Sequence, residues 1–263
     1  MIKLYLKNAF LISLSDLVWM MGLSVAIAIV MSFISRFIYK HLYAEYGRKG
    51  TLALIYCTAL GTVIHELSHA LFCVIFDHKV TDMSLFNPEP DGTLGYVEHE
   101  YDKENLYQDA GNFFIGIAPI LMTGVLTYLL TIELMPTIIP PAPRTHNINS
   151  IILFVSQIYR NLLVSDNLFD WQFYAYIIAI FTISGHATLS MADMKGAASG
   201  IIALVLIVFA ANALTLWKPE IHIAVFDFLI KYYAIFYASM LFGLSLYVGL
   251  MGLLLIAKLF PVL

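Results

Sequence analysis

Charge is what this sequence has least of. Only 12% of its 263 residues are Asp, Glu, Lys or Arg, about half the share found in an ordinary soluble domain. So few charges cannot cover a water-soluble globule. With 60% hydrophobic residues and a mean hydropathy of +0.83, the composition is that of a chain whose main solvent is lipid. Basic blocks are missing as well: the formal net charge is -4, and no Lys/Arg cluster offers a footprint for nucleic acid, which excludes that class of partner. Cysteine is scarce. Cys57 and Cys73 fall on one predicted helix, about 24 Å apart at helical rise, so a disulfide is excluded and both read as free thiols in a core. No internal repeat or domain-dividing linker is found, which leaves one transmembrane domain over 1–263.

What is present is a series of apolar runs, each about 20 residues long, the length that crosses a bilayer. They lie at roughly 17–38, 51–77, 111–132, 171–190, 197–217 and 232–257. The basic start "MIKLYLK" resembles a signal peptide, but the apolar run continues past any plausible cleavage site, so an uncleaved first span is expected. Between the second and third runs, two β-prone stretches flank "NPEPDG", a turn ending in Asp91-Gly92, and predict a hairpin over about 80–101. After the helix-breaking "PTIIPPAPR", Ile148, Ile151, Ile152, Val155, Ile158, Tyr159, Leu162 and Leu163 recur at helical spacing. With Gln157, Arg160 and Asn161 opposite, that segment is expected to be an amphipathic helix at the membrane interface. The expected fold is therefore an all-α polytopic membrane protein of about six transmembrane helices with one short hairpin.

Within the second run, "TVIHELSHALF" places His65, Glu66 and His69 among residues fit for a membrane interior. Ionisable groups at that depth are costly and mark function. Positions i and i+4 of a helix share a face, so His65 and His69 can present two imidazoles to one cation, with Glu66 placed to take a proton from water. Zinc suits such a site, which needs three N or O ligands and an open position. Among eight histidines, a chance H-E-x-x-H arises about one time in a hundred. The remaining histidines, His41, His78, His99, His146, His186 and His222, form no H-x-x-H-H cluster, which weighs against a di-iron desaturase site.

A third ligand must come from another element. The fourth run ends in "ISGHATLSMADMKGA", where His186 and Asp193 share a face if the helix persists, with Ser190 between them. Asp193 ranks first as ligand, although it could instead pair with Lys195. His186 is the alternative, or acts in the second shell or on the substrate's oxyanion. Glu133 and Asp109 rank lower, since each falls at a helix end.

These pieces resemble the site-2 protease group of intramembrane zinc metalloproteases, the M50 type. The resemblance covers roughly residues 51–200: "HELSHA" in a span, a hairpin-like segment with "DGTLGYV", the helix start "DAGNFFIGIAP", and an Asp ahead of a Gly in "LSMADMKGA". The chain departs from the family where Asn112 follows Gly111 in place of the usual Pro, and where Asp193 is separated from Gly196 by Met194 and Lys195. The resemblance implies a catalytic core over about 51–200, with peripheral spans at 17–38 and 197–257. It also implies hydrolysis of a peptide bond in or near a substrate's transmembrane segment. One Zn2+ would be held by His65, His69 and Asp193, with Glu66 as general base and Asn112, Ser190 and His186 as substrate or oxyanion contacts. The expected partners are a transmembrane protein substrate and the lipid bilayer, and the expected location is a prokaryotic cytoplasmic membrane. The rivals are a non-catalytic membrane binding or transport protein, a degenerate protease, and a prenyl-protein-type zincin with a later Glu as third ligand.

Overall fold

The structure is a computed structural model that describes residues 2–18, 22–89, 92–141, 148–188 and 190–259. Asp91 of the predicted turn lies outside the described residues, as do His146 and residues 19–21 of the first predicted span. The order is α1 (Ile2–Leu17), α2 (Leu23–Cys57), α3 (Ala59–Ile75), β1 (Lys79–Ser84), β2 (Tyr96–Glu100), α4 (Leu106–Leu134), α5 (Ile148–Leu162), α6 (Trp171–Ser184), α7 (Met191–Thr215) and α8 (Pro219–Leu259). The chain is mostly helical, and the predicted hairpin forms as an antiparallel pair with Val80 opposite His99.

The expected six spans are corrected. Among the described residues, three helices are long and apolar enough to cross a membrane: Leu23–Cys57, Leu106–Leu134 and Tyr233–Ala257. A fourth is reached only if the two halves of α7, bent by 54° between Ala198 and Gly200, count as one span. Hydropathy averages over backbone breaks, and breaks are what divided the runs. The 51–77 run is cut at Thr58, which leaves the helical region and returns its hydroxyl to the Leu54 carbonyl at 3.0 Å. The 171–190 run forms only the 14-residue α6, ending at Ser184. At helical rise that is about 21 Å, short of a hydrocarbon core. The same break puts Cys57 and Cys73 on different helices; both are free, but Cys57 is exposed rather than in a core.

Helix α3 is inverted relative to a helix in water. Its buried positions include Thr62, Glu66, Ser68 and His69, while Leu60, Leu67, Leu71 and Val74 are exposed. Burying polar groups and exposing large apolar ones is favourable only where the surrounding solvent is itself apolar. Helix α5 forms where the periodicity placed it. Its Phe154, Ile158 and Leu162, however, are buried in a core shared with Phe173 of α6 and Ile235 and Phe242 of α8. Protein covers that stripe, while Ile152 and Leu163 remain exposed.

The end of α3 sets the hairpin's direction. Asp77 takes the left-handed conformation with φ 59°, and the His78 amide donates to the Cys73 carbonyl at 2.8 Å, the six-to-one bond that closes a helix. Asp77 stands where glycine is usual, and its carboxylate accepts from the Gln108 side-chain amide at 3.3 Å. The chain thereby turns back over α3.

Candidate metal centre

His65 and His69 lie one turn apart on α3, and each ring is fixed through its Nδ1. His65 donates to the His186 carbonyl at 2.7 Å, and His69 donates to the Ile115 carbonyl at 2.8 Å. A carbonyl oxygen can only accept, so both Nδ1 atoms carry hydrogen and both Nε2 atoms of the neutral rings keep their lone pairs. Those two Nε2 atoms stand 3.3 Å apart. Asp193 meets them, with Oδ1 3.3 Å from His69 Nε2 and Oδ2 3.9 Å from His65 Nε2. Two bare imidazole nitrogens and a carboxylate repel one another unless they share a positive charge, either a proton or a metal ion. One ligand atom from each of the three residues lies within 4.8 Å of the others, a grouping that could hold a metal.

Asp193 does not arrive on an extension of α6, as its shared face with His186 required. Helix α6 stops at Ser184, and Asp193 belongs to the first turn of α7. There it completes a capping box: the Ser190 hydroxyl accepts from the Asp193 amide at 3.0 Å, and Asp193 Oδ2 accepts from the Ser190 amide at 2.7 Å. This reciprocal pair orients the carboxylate. Lys195 forms no ion pair with Asp193 among the described residues. Close approach of α4 and α7 is needed to bring Asp193 in, and Gly116 permits it. A methyl at Gly116 would fall 2.5 Å from the Asp193 carbonyl oxygen and 2.8 Å from the Ala197 nitrogen, both backbone atoms that cannot step aside alone. Gly116→Ala is accordingly expected to weaken divalent-metal affinity about 10- to 100-fold, as changes to ligand-supporting groups do. A metal titration with far-ultraviolet circular dichroism as the folding control checks it.

Glu66 is buried, at 7% exposure, and lines a cavity of about 340 Å³ together with His65, His69, Asn112, Ser190 and Asp193. Among the described residues no hydrogen bond engages its carboxylate. Gly95 lies directly against it: a methyl there would sit 2.7 Å from Glu66 Cγ. The hairpin therefore roofs the glutamate, and a second cavity of about 390 Å³ is lined by His65, Glu66 and Gly95 together with Arg36 and His186.

The remaining expected residues divide. Asn112 is buried in the cavity wall, where its amide donates to the Asp109 carbonyl at 3.2 Å. Ser190 lines the cavity but its hydroxyl oxygen serves as the α7 cap. His186 lies outside the three-residue cluster; its ring meets Thr62 at 3.4 Å, and its contribution to the site is its backbone carbonyl. Glu133 and Asp109 are also outside the cluster.

One histidine with no motif of its own also reaches the site. His99 of β2 lines the same cavity, and its Nδ1 lies 3.0 Å from His78 Nδ1. Burial, then the neighbouring His78 and His69, holds the His99 imidazole below its ordinary titration range. No sequence signal marks this pair, since only the hairpin brings positions 78 and 99 together.

Comparison of the chain with protein-family profiles, with curated proteins and with solved structures finds no match.

Proposed function

We propose that this chain is an intramembrane zinc metalloprotease of the site-2 protease type, cleaving a peptide bond in or next to a substrate's transmembrane segment. The observation that carries the reading is the convergence of His65 Nε2, His69 Nε2 and the Asp193 carboxylate beside the unengaged Glu66. Two imidazoles and one carboxylate, with no thiolate, form a donor set that suits zinc in a hydrolytic site. The carbonyls of His186 and Ile115 do what outer partners of such ligands do, fixing each ring with its Nε2 free to bind. A bound zinc ion supplies Lewis acidity, polarising a scissile carbonyl and making water a stronger acid.

The chain's own part is proton handling and positioning. The Glu66 carboxylate takes the proton released as water attacks the carbonyl carbon, and returns it to the departing amine nitrogen as the C–N bond breaks. Its burial beneath Gly95 keeps competing bulk water away. Asn112, in the cavity wall, offers a side-chain amide toward the substrate carbonyl. A helical substrate hides its carbonyls in its own hydrogen bonds and must unwind to be cut; β2, whose one strand neighbour among the described residues is β1, offers an edge for the unwound segment. The substrate is on this account a transmembrane protein, and the enzyme a multi-pass protein of a prokaryotic cytoplasmic membrane.

The test is cleavage by the purified, zinc-supplied protein of a panel of single-span membrane proteins in detergent, with cut sites mapped by mass spectrometry. Cuts in or beside the spans that stop with 1,10-phenanthroline and return with added zinc support the proposal. Cuts that persist after zinc has been removed contradict it.

A further inference from the structure

The hairpin holds a hydrogen-bonded histidine pair that the proton chemistry above leaves unused. His78 is buried, at 5% exposure, stacked on Tyr101 with ring centroids 4.9 Å apart and planes 12° from parallel. Its Nε2 lies 2.7 Å from the Gln108 carbonyl oxygen. That oxygen can only accept, so Nε2 carries the hydrogen and, in the neutral ring, Nδ1 is bare. His99 must then be the donor across the 3.0 Å contact between the two Nδ1 atoms. The hydrogen of neutral His99 is thus fixed on Nδ1, and its Nε2 is left with a lone pair. Among the described residues no protein group uses that nitrogen, and His99 forms part of the wall of the Glu66 cavity. In the partner strand a β-bulge between Val80 and Asp82 directly follows Val80, the residue paired with His99, a device that re-aims side chains beside sites.

We propose that His99 is a substrate-binding residue whose Nε2 accepts a hydrogen bond from a backbone N–H of an extended peptide lying along β2, with His78 as the positioning residue that fixes its tautomer. The ligand class is an extended polypeptide, recognised by its backbone. Gly95, Tyr96 and Val97, which line the cavity with His99, belong to the same short run of chain, so a peptide beside β2 passes His99 on the way to Glu66. This inference rests on the proposed function, because it assigns a polypeptide to that cavity.

The experiment uses the zinc-loaded Glu66→Gln protein in detergent and, as probe, a fluorescein-labelled alternating Val–Thr peptide, with binding read by anisotropy. His99→Phe is expected to weaken binding about 3- to 10-fold, the size of one net hydrogen bond, with zinc content unchanged as the control for folding. His99→Gln, whose amide oxygen accepts, is expected to recover part of the loss. A set of probes in which single backbone N–H groups are replaced by ester oxygens adds the decisive arm. One ester position should weaken binding to the parent protein by a similar factor and cost nothing further in His99→Phe. Nitrogen-15 NMR of histidine-labelled protein should show His99 with Nδ1 protonated and Nε2 bare, and His78→Phe should abolish that fixed tautomer. The inference is overturned if every ester position weakens both proteins equally, if the His99 hydrogen is found on Nε2, or if zinc itself binds His99 Nε2. Failure of the parent protein to take up zinc would instead strike at the proposed function.

Discussion

Glu66→Gln is expected to lower the cleavage rate by at least about 10²- to 10⁴-fold, the contribution of a positioned general base, while zinc content stays at the level of the parent protein. Glutamine has nearly the same volume and fits the same space beneath Gly95, so packing is kept. What it loses is the ability to accept a proton from water. The dissociation of the two readouts is the informative part: the residues grouped so that they could hold a metal are His65, His69 and Asp193, and Glu66 is not among them. Cleavage assays paired with metal analysis check it, and unchanged cleavage would remove Glu66 from the role of base.

The second large effect falls on Asp193. Replacing it with alanine removes the proposed third ligand and leaves two bare imidazole nitrogens 3.3 Å apart, so the loss of zinc affinity should exceed the roughly 10- to 100-fold that supporting residues contribute. The same change opens the capping box with Ser190, costing about 1 kcal/mol of stability even without metal. Asp193→Asn separates the two effects, since its amide oxygen can still accept the Ser190 N–H while the carboxylate charge is gone. His186→Ala should behave differently. Its backbone carbonyl, which holds His65, survives the substitution, so zinc affinity should stay near that of the parent protein. A competition titration against a zinc-sensitive dye measures all three variants.

The parts of the site that were legible in the sequence are those encoded at helical spacing. His65, Glu66 and His69 needed only the i, i+4 rule, and the hairpin was announced by a Pro- and Gly-bearing turn between β-prone runs. Helical spacing puts Asp193 on a continuation of α6 with His186, whereas that helix stops at Ser184 and a new one starts at a Ser190 cap. Asp193 still meets His65 and His69, because the new helix begins where Gly116 leaves room for it. The span count failed for a related cause, as Thr58 and the turn after Ser184 end helices inside runs that hydropathy treats as continuous. His99 was beyond reach, since its meeting with His78 depends on strand register, a bulge and the left-handed Asp77, none of which has a spacing signature.

The most direct measurement of the central claim is the zinc content of the purified protein after zinc loading and removal of excess, with parent, Glu66→Gln and the His65→Ala/His69→Ala double variant side by side. About one zinc per chain is expected in the first two, as a single three-ligand site requires, and next to none in the double variant with its helical content intact. Zinc retained at full stoichiometry by the double variant, or none taken up by the parent, would contradict it.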